Sequence, residues 1–175
     1  MVYPQIEKPG ELRYITFETT TGWVGILGSR RGLVRTTLPQ SSAEEARRLL
    51  GEPVRYAEPT DHGFDSLIAC FRSYFEGNKI DFPERLDPGD ATPFQLRVWE
   101  IARLIPYGAT RSYRWLAERL GNPKAARAVG GALAQNPLPI IIPCHRVVGK
   151  NGDLGGFSAG IEVKRRLLEL EGIKL

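Results

Sequence analysis

Gly121-Asn122-Pro123 constrains this chain most, because three residues must end one helix and begin the next. Glycine takes the left-handed conformation that stops a helix, and proline suits the first turn of its successor. Upstream, Ser112 is placed to cap a helix whose Tyr113, Leu116, Ala117 and Leu120 share one face. Downstream, Ala125, Ala128, Val129, Ala132 and Leu133 make a narrow apolar stripe. Two short helices joined by a tight glycine-containing turn are a helix-turn-helix signature. The second helix is odd on its other faces, which carry Lys124, Ala126, Arg127, Gly130, Gly131 and Gln135. Adjacent glycines cost about 1 kcal/mol each against alanine inside a helix. Either they permit close helix packing, or they let the helix approach a nucleic-acid backbone with Arg127 as its one long projecting side chain.

Thr92, Pro93 and Gln95 form a capping box that opens the helix before this pair, with Phe94, Val98, Ile101 and Ile105 as its buried face. A last helix spans roughly Ile161 to Glu171, with Val163, Leu167 and Leu170 inward. The first half reads as mixed strand and helix. Arg13 to Phe17, Gly22 to Leu27 and Gly32 to Leu38 look like strands of a small antiparallel sheet, and Ser42 caps a short helix through Leu50. A firmer helix runs from about Asp61 to Glu76, its stripe being Phe64, Leu67, Ile68, Phe71 and Phe75, with Gly77 as its stop. Cys70 borders that stripe as a small hydrophobe. Pro83 to Asp90 is polar and broken by proline and glycine, which predicts domains over 1–82 and 93–175 joined by a linker over 83–92.

Charge is divided unevenly between these halves. Residues 1–92 carry 11 Lys/Arg against 14 Asp/Glu, whereas residues 93–175 carry 13 against 6. The basic half therefore suits a polyanion. No run approaches the length of a membrane span, and Met1-Val2-Tyr3-Pro4 lacks a basic-then-apolar leader, so a soluble cytoplasmic protein is expected. Two cysteines give no disulfide framework, and two histidines give no clustered metal-ligand spacing.

The chemistry sits in Pro143-Cys144-His145-Arg146-Val147, between the apolar run Ile140-Ile141-Ile142 and a glycine-rich loop, Gly152 to Gly160. A cysteine attacks as its thiolate, and His145 beside it titrates near neutral pH. In an extended strand the two side chains point to opposite faces; in a helical turn they can meet through one water. Pro143 suits the start of such a turn, whose N–H groups would lower the thiol's pKa. The segment predicts a strand that stops and presents a thiolate. Hydrolysis, redox chemistry and alkyl transfer all remain open to such a group. Redox work would want a second cysteine nearby, and none is close in sequence.

The stretch Asn122 to Gly160, with Thr92 to Glu100 and Ile105 to Gly121 upstream and Glu171-Gly172 downstream, resembles the O6-alkylguanine-DNA alkyltransferases. Phe71 to Phe82 is similar to the end of that family's N-terminal domain. The resemblance implies an N-terminal ribonuclease-H-like α/β domain and a helical, helix-turn-helix C-terminal domain. It implies direct, once-only transfer of an alkyl group from guanine O6 in duplex DNA to Cys144, after the base is flipped from the stack, without cofactor or metal. O4-alkylthymine is a further possible substrate of the family. His145 would take the thiol proton through a water, Glu171 would orient His145, and Tyr113 would give a proton to the departing guanine. Asn136 would tie the turn after the recognition helix to the nucleophile's segment.

Arg127 would fill the gap left by the flipped base, while Ala126, Gly130, Gly131, Tyr113 and Lys124 would meet DNA. The family enters the minor groove without regard to sequence, and a monomer is expected. Backbone groups of Cys144 and Val147 and the Ser158 N–H would read the base, with Gly155, Gly156 and Phe157 walling the pocket. Phe157 departs from the tyrosine of several members, so that hydroxyl's hydrogen bond is lost. Two rivals stand beside this reading. A non-catalytic alkyltransferase-like damage binder usually has tryptophan where Cys144 stands. A DNA-binding regulator would carry Cys144 as a spectator in a core strand.

Overall fold

The computed structural model describes residues 12–174. Met1 to Pro4, read above for a leader, lie outside the described residues. The chain divides into two compact units, Met1–Asp90 and Ala91–Leu175.

The first unit is built on a four-stranded sheet in the order β3-β2-β1-β4. Strands β1 (Arg13–Thr19) and β2 (Gly22–Gly28) form an antiparallel hairpin closed at Thr19 opposite Gly22. Gly22 has φ 133, and a Cβ there would come within 2.6 Å of the Gln40 carbonyl oxygen. Strand β3 (Leu33–Thr36) continues the antiparallel order, but β4 (Glu58–Pro59) pairs parallel to β1, so the sheet is mixed rather than wholly antiparallel. Helix α1 (Ala43–Leu49) starts as expected at Ser42, whose side chain accepts the Glu45 N–H.

Helix α2 (Asp65–Phe75) starts later than its periodicity suggests. Thr60 bonds both His62 N–H and His62 C=O, and Gly63 takes φ 88, which holds the preceding residues in a turn. Leu67, Phe71 and Phe75 are buried with Tyr74, and Phe71 packs on Phe17 and Phe82 at ring centroid separations of 6.0 and 5.1 Å. The stretch expected as a linker is not free throughout. Leu33 N–H bonds Arg85 C=O at 2.9 Å and Asp87 N–H bonds Leu33 C=O at 2.7 Å, adding residues 85–87 along the edge of β3. The residues from 88 onward keep the polar, broken character that the sequence suggests.

In the second unit, helix α3 (Pro93–Arg103) opens on the Thr92 capping box, both halves of which form. Its buried residues are Val98, Trp99 and Ala102, followed by Ile105; Phe94 lies on the solvent side, a correction to the expected face. The indole N–H of Trp99 decides that rotation, since it bonds the Ala132 carbonyl at 2.9 Å. Strand β5 (Arg111–Ser112) runs into α4 (Tyr113–Arg119), capped by Ser112 and stopped at Gly121 with φ 78. A short helical turn at Pro123–Ala125 leads into α5 (Ala126–Ala134). Val129, Ala132 and Leu133 are buried there, whereas Ala128, assigned above to the stripe, is exposed.

Ile140-Ile141-Ile142 is not a strand but a buried turn, in which Ile142 N–H bonds Leu138 C=O at 2.8 Å. The chain then enters the expected helical turn, Cys144–Arg146, and the strand β6 (Val147–Val148), which pairs parallel to β5. Helix α6 (Ile161–Leu170) buries Lys164, Leu167 and Leu168, so its inner face is turned one residue from the expected Val163, Leu167 and Leu170. Among the described residues, no helix is long and apolar enough to cross a membrane.

Candidate active site

The parallel pairing of Arg111 with Val147 and Ser112 with Val148 brings the start of α4 beside the end of the Cys144 turn. Cys144 and Tyr113 then share a cavity of about 410 Å³. Its α5 wall is Ala126, Arg127, Gly130, Leu133 and Ala134, and Gly156, Phe157 and Ser158 face it from the loop. A cavity of this size suits a small organic ligand.

Asn136 holds the turn and the thiol at once. Its side-chain NH₂ donates to Ile142 C=O at 2.8 Å and to Cys144 Sγ at 3.2 Å, while its oxygen accepts Leu138 N–H at 2.9 Å. Burial pushes the Cys144 thiol up; Asn136, the Lys164 charge and the backbone N–H groups of Cys144 and His145 pull the other way without cancelling it. The expected lowering by the turn is therefore present but smaller than desolvation.

His145 and Glu171 are buried together, with His145 Nε2 at 2.7 Å from Glu171 Oε1. Arg146 donates to the same carboxylate through Nε at 2.9 Å and Nη2 at 3.0 Å, and through Nη1 to Ile105 C=O at 2.7 Å. Gly108 N–H adds a bond to Glu171 Oε2 at 3.1 Å. Burial alone would raise the Glu171 pKa, but His145 and Arg146 outweigh it and hold the carboxyl well below the usual range. Burial lowers His145, so the ring is neutral at pH 7 and donates from Nε2 to the ionised carboxylate. Glu171 is thus an interior carboxylate at the end of α6, not a surface one.

Tyr113 packs over Gly155, at which a Cβ would meet its ring and hydroxyl at 3.5 Å. Burial, then the charges of Cys144 and Asp153, raise its pKa, so its hydroxyl keeps its proton at pH 7. Val147 and Gly155 are not among the residues lining the cavity, and the Val147 carbonyl accepts a bond from Lys164 Nζ. Lys124 and Gly131 are exposed on the outer side of the helix-turn-helix pair. A Cβ at Gly131 would meet nothing within 4 Å, and one at Gly130 would meet the Tyr113 ring at an ordinary 3.7 Å. Neither glycine is required by helix packing.

Lys164 and Ala134 escaped the sequence reading, and Leu133 was read there only as part of a packing stripe. Lys164 Nζ also bonds Leu154 C=O, lies 5.9 Å from both the Tyr113 and Phe157 ring centroids, and has its pKa lowered by burial to about 8. A signal for it existed: positions 164, 167, 168 and 171 share one helical face. Among the described residues, no three His, Cys, Asp or Glu side chains converge as a metal site would need.

A helix-turn-helix pair whose second helix walls a cavity floored by a buried cysteine defines a DNA-directed thiol protein. Residues 93–173 match the family model described as 6-O-methylguanine DNA methyltransferase, DNA binding domain. The methylated-DNA–protein-cysteine methyltransferase of Methanosarcina acetivorans is 38% identical over 159 residues, 91% of this chain and 97% of that one. The enzyme of that name from Mycobacterium tuberculosis is 38% identical over 160 residues, 91% and 92% of the two chains. Mycobacterium tuberculosis OGT in complex with DNA superposes with a TM-score of 0.76 at 39% identity, covering 91% of this chain and 92% of that one. The O6-methylguanine-DNA methyltransferase of Pyrococcus kodakaraensis gives 0.67 at 30% identity, covering 93% and 99%. This chain belongs to the methylated-DNA–protein-cysteine methyltransferase family.

Proposed function

We propose that this protein repairs O6-alkylguanine in duplex DNA by moving the alkyl group irreversibly onto Cys144. The observation that carries this is the placement of the Cys144 sulfur, under Asn136, in a cavity whose opposite wall is the second helix of the helix-turn-helix pair. Cys144 Sγ forms a bond to the alkyl carbon as that carbon's bond to guanine O6 breaks. The thiol proton leaves through a water to His145, held in one orientation by Glu171, and Tyr113 returns a proton to the guanine. A thioether has no reducible bond, so each molecule acts once and needs no cofactor.

The target base must leave the stack to reach a buried sulfur, and Arg127, at the cavity's α5 wall, takes its place in the duplex. Small residues on the outer side of α5, Gly131 among them, suit a helix pressed into the minor groove, and contacts to phosphate make binding independent of sequence. Lys124 supplies charge at the entry to that helix. Backbone groups of Cys144 and Val147, with Ser158 N–H, read the base, and Gly155 lets the loop close on Tyr113. A free thiol nucleophile suits the reducing cytoplasm, and the reaction needs one protein copy.

The test is duplex DNA carrying labelled O6-methylguanine. Label should reach about one methyl per protein, on the Cys144 peptide, and Cys144→Ala should abolish transfer while duplex binding persists, since phosphate contacts carry the affinity. Sustained turnover or label on Cys70 would refute the mechanism. Binding without transfer would mark a damage binder, and binding indifferent to the lesion would mark a regulator.

A further inference from the structure

We infer that Ile140 is a positioning residue for the nucleophile: its left-handed backbone reverses the chain between Leu138 and Ile142, and its buried side chain locks that turn where Asn136 reaches Cys144. The inference rests on reading Cys144 as the nucleophile.

Ile140 has φ 75, a conformation that crowds any Cβ and that a β-branched residue seldom adopts. The other non-glycine residue at positive φ among those described is Asn151, whose type tolerates it. Such a conformation persists only where its surroundings over-determine it, and outliers of this kind gather at functional sites. Here the surroundings are fully specified. Ile140 is 2% exposed, between Leu138 at 0% and Ile142 at 0%. Pro137 and Pro139 restrict the backbone before it, and Ile142 N–H closes the turn on Leu138 C=O at 2.8 Å.

The turn matters to the sulfur because a single amide spans it. Asn136 accepts from Leu138 N–H at one end, donates to Ile142 C=O at the other, and spends its remaining N–H on Cys144 Sγ. Cys144 N–H in turn bonds Ile142 C=O at 2.8 Å. If the turn opened, Ile142 and the sulfur would leave Asn136 together. A glycine at 140 would reach the same φ without strain, so the turn alone does not call for isoleucine. What isoleucine adds is a side chain that forbids the alternatives.

That difference is measurable. Thiol alkylation of the full chain by iodoacetamide, followed against pH, reports the donor on the sulfur without any need for DNA. The charged and titratable groups around Cys144, Lys164 from α6, Tyr113 from α4, Arg127 from α5 and the adjacent His145, are unchanged in every variant. In Ile140→Gly the titration should shift upward, with thiolate at neutral pH cut about five-fold by loss of one hydrogen bond. Methyl transfer from DNA should slow by a similar factor. Ile140→Val keeps branching and burial, and should titrate like the natural protein. Should the glycine variant lose its fold, Ile140→Ala removes the lock while keeping a Cβ, and should shift the titration in the same direction. A glycine or alanine variant that melts earlier yet titrates and reacts normally would show that Ile140 merely fills space, overturning the inference. A valine variant shifted as far as glycine would overturn it as well. Failure of the natural protein to accept a methyl group would sink the proposed function, while the iodoacetamide titration would still decide the role of Ile140.

Discussion

His145 Nε2 and Glu171 Oε1 lie 2.7 Å apart with almost no accessible surface, and Arg146 shares the same carboxylate. A neutral imidazole therefore gives its one N–H to an ionised acceptor that a permanent cation holds in place. This fixes the tautomer, with Nδ1 as the ring's acceptor. The arrangement holds the imidazole in one orientation without burying a net charge on the ring.

Acid should unfold the protein through this pair. The folded pKa of Glu171 is depressed, so its stabilisation is present above the unfolded value near ~4.3 and is lost as pH falls through the folded value. His145 is also depressed; below about 6.5 the unfolded chain binds a proton that the folded chain does not, so stability falls with pH there too. Glu171→Gln leaves Arg146 buried without its counter-charge and should cost about 3–5 kcal/mol. Urea melts from pH 7 downward should show that loss at neutral pH and a shallower acid slope in the variant. An unchanged slope would mean that neither group titrates with unfolding.

Arg127 should separate two substrates. It lines the cavity and is exposed. If it replaces the flipped base, Arg127→Ala should slow repair of duplex DNA strongly and leave reaction with free O6-benzylguanine nearly unchanged, because no flip is needed there. Equal losses on both substrates would make Arg127 structural.

Lys164 shows where the sequence was legible and where it was not. Caps, turns and the helix-turn-helix pair were readable because Thr92, Ser112, Gly121 and Pro123 act through the local backbone. The cysteine turn was readable for the same reason. Helix rotation was not: Phe94 and Val163 match the apolar pattern as well as Trp99 and Leu168 do, and only tertiary bonds such as Trp99 to Ala132 choose between them. Ile140 to Ile142 looked like a strand because a buried turn and a buried strand share one composition. A lysine on the inner face of α6 reads as solvent-facing until the Val147 and Leu154 carbonyls are seen to receive it.

Replacing Lys164 should therefore disturb the site rather than the surface. Lys164→Met keeps the length but removes both bonds, loosening the loop against Val147. It also removes a charge that lowers the Cys144 pKa. Iodoacetamide reaction at neutral pH should slow, and amide exchange at Leu154 to Gly156 should quicken. Unchanged exchange would show that the loop is held by other contacts.

Repair itself should weaken the fold. Cys144 is buried beside Asn136, whose side-chain nitrogen lies 3.2 Å from the sulfur, and it lines the cavity walled by α5. A thioether has no proton to lose, so the thiolate that Asn136 and Lys164 favour cannot form again. The added carbon should also crowd the Asn136 amide, which donates to the sulfur and holds the turn at Leu138 and Ile142. Overpacking a tight site by such a group costs about 1–3 kcal/mol. On a chain of this size that should lower the melting temperature by several degrees, roughly 2–4 °C per kcal/mol. A benzyl group should lower it further than a methyl group and speed amide exchange at Gln135, Asn136 and Leu138, just after α5 ends. Melting curves of the free, methylated and benzylated protein decide the matter; equal or higher values for both adducts would show spare volume around the sulfur and defeat the packing argument.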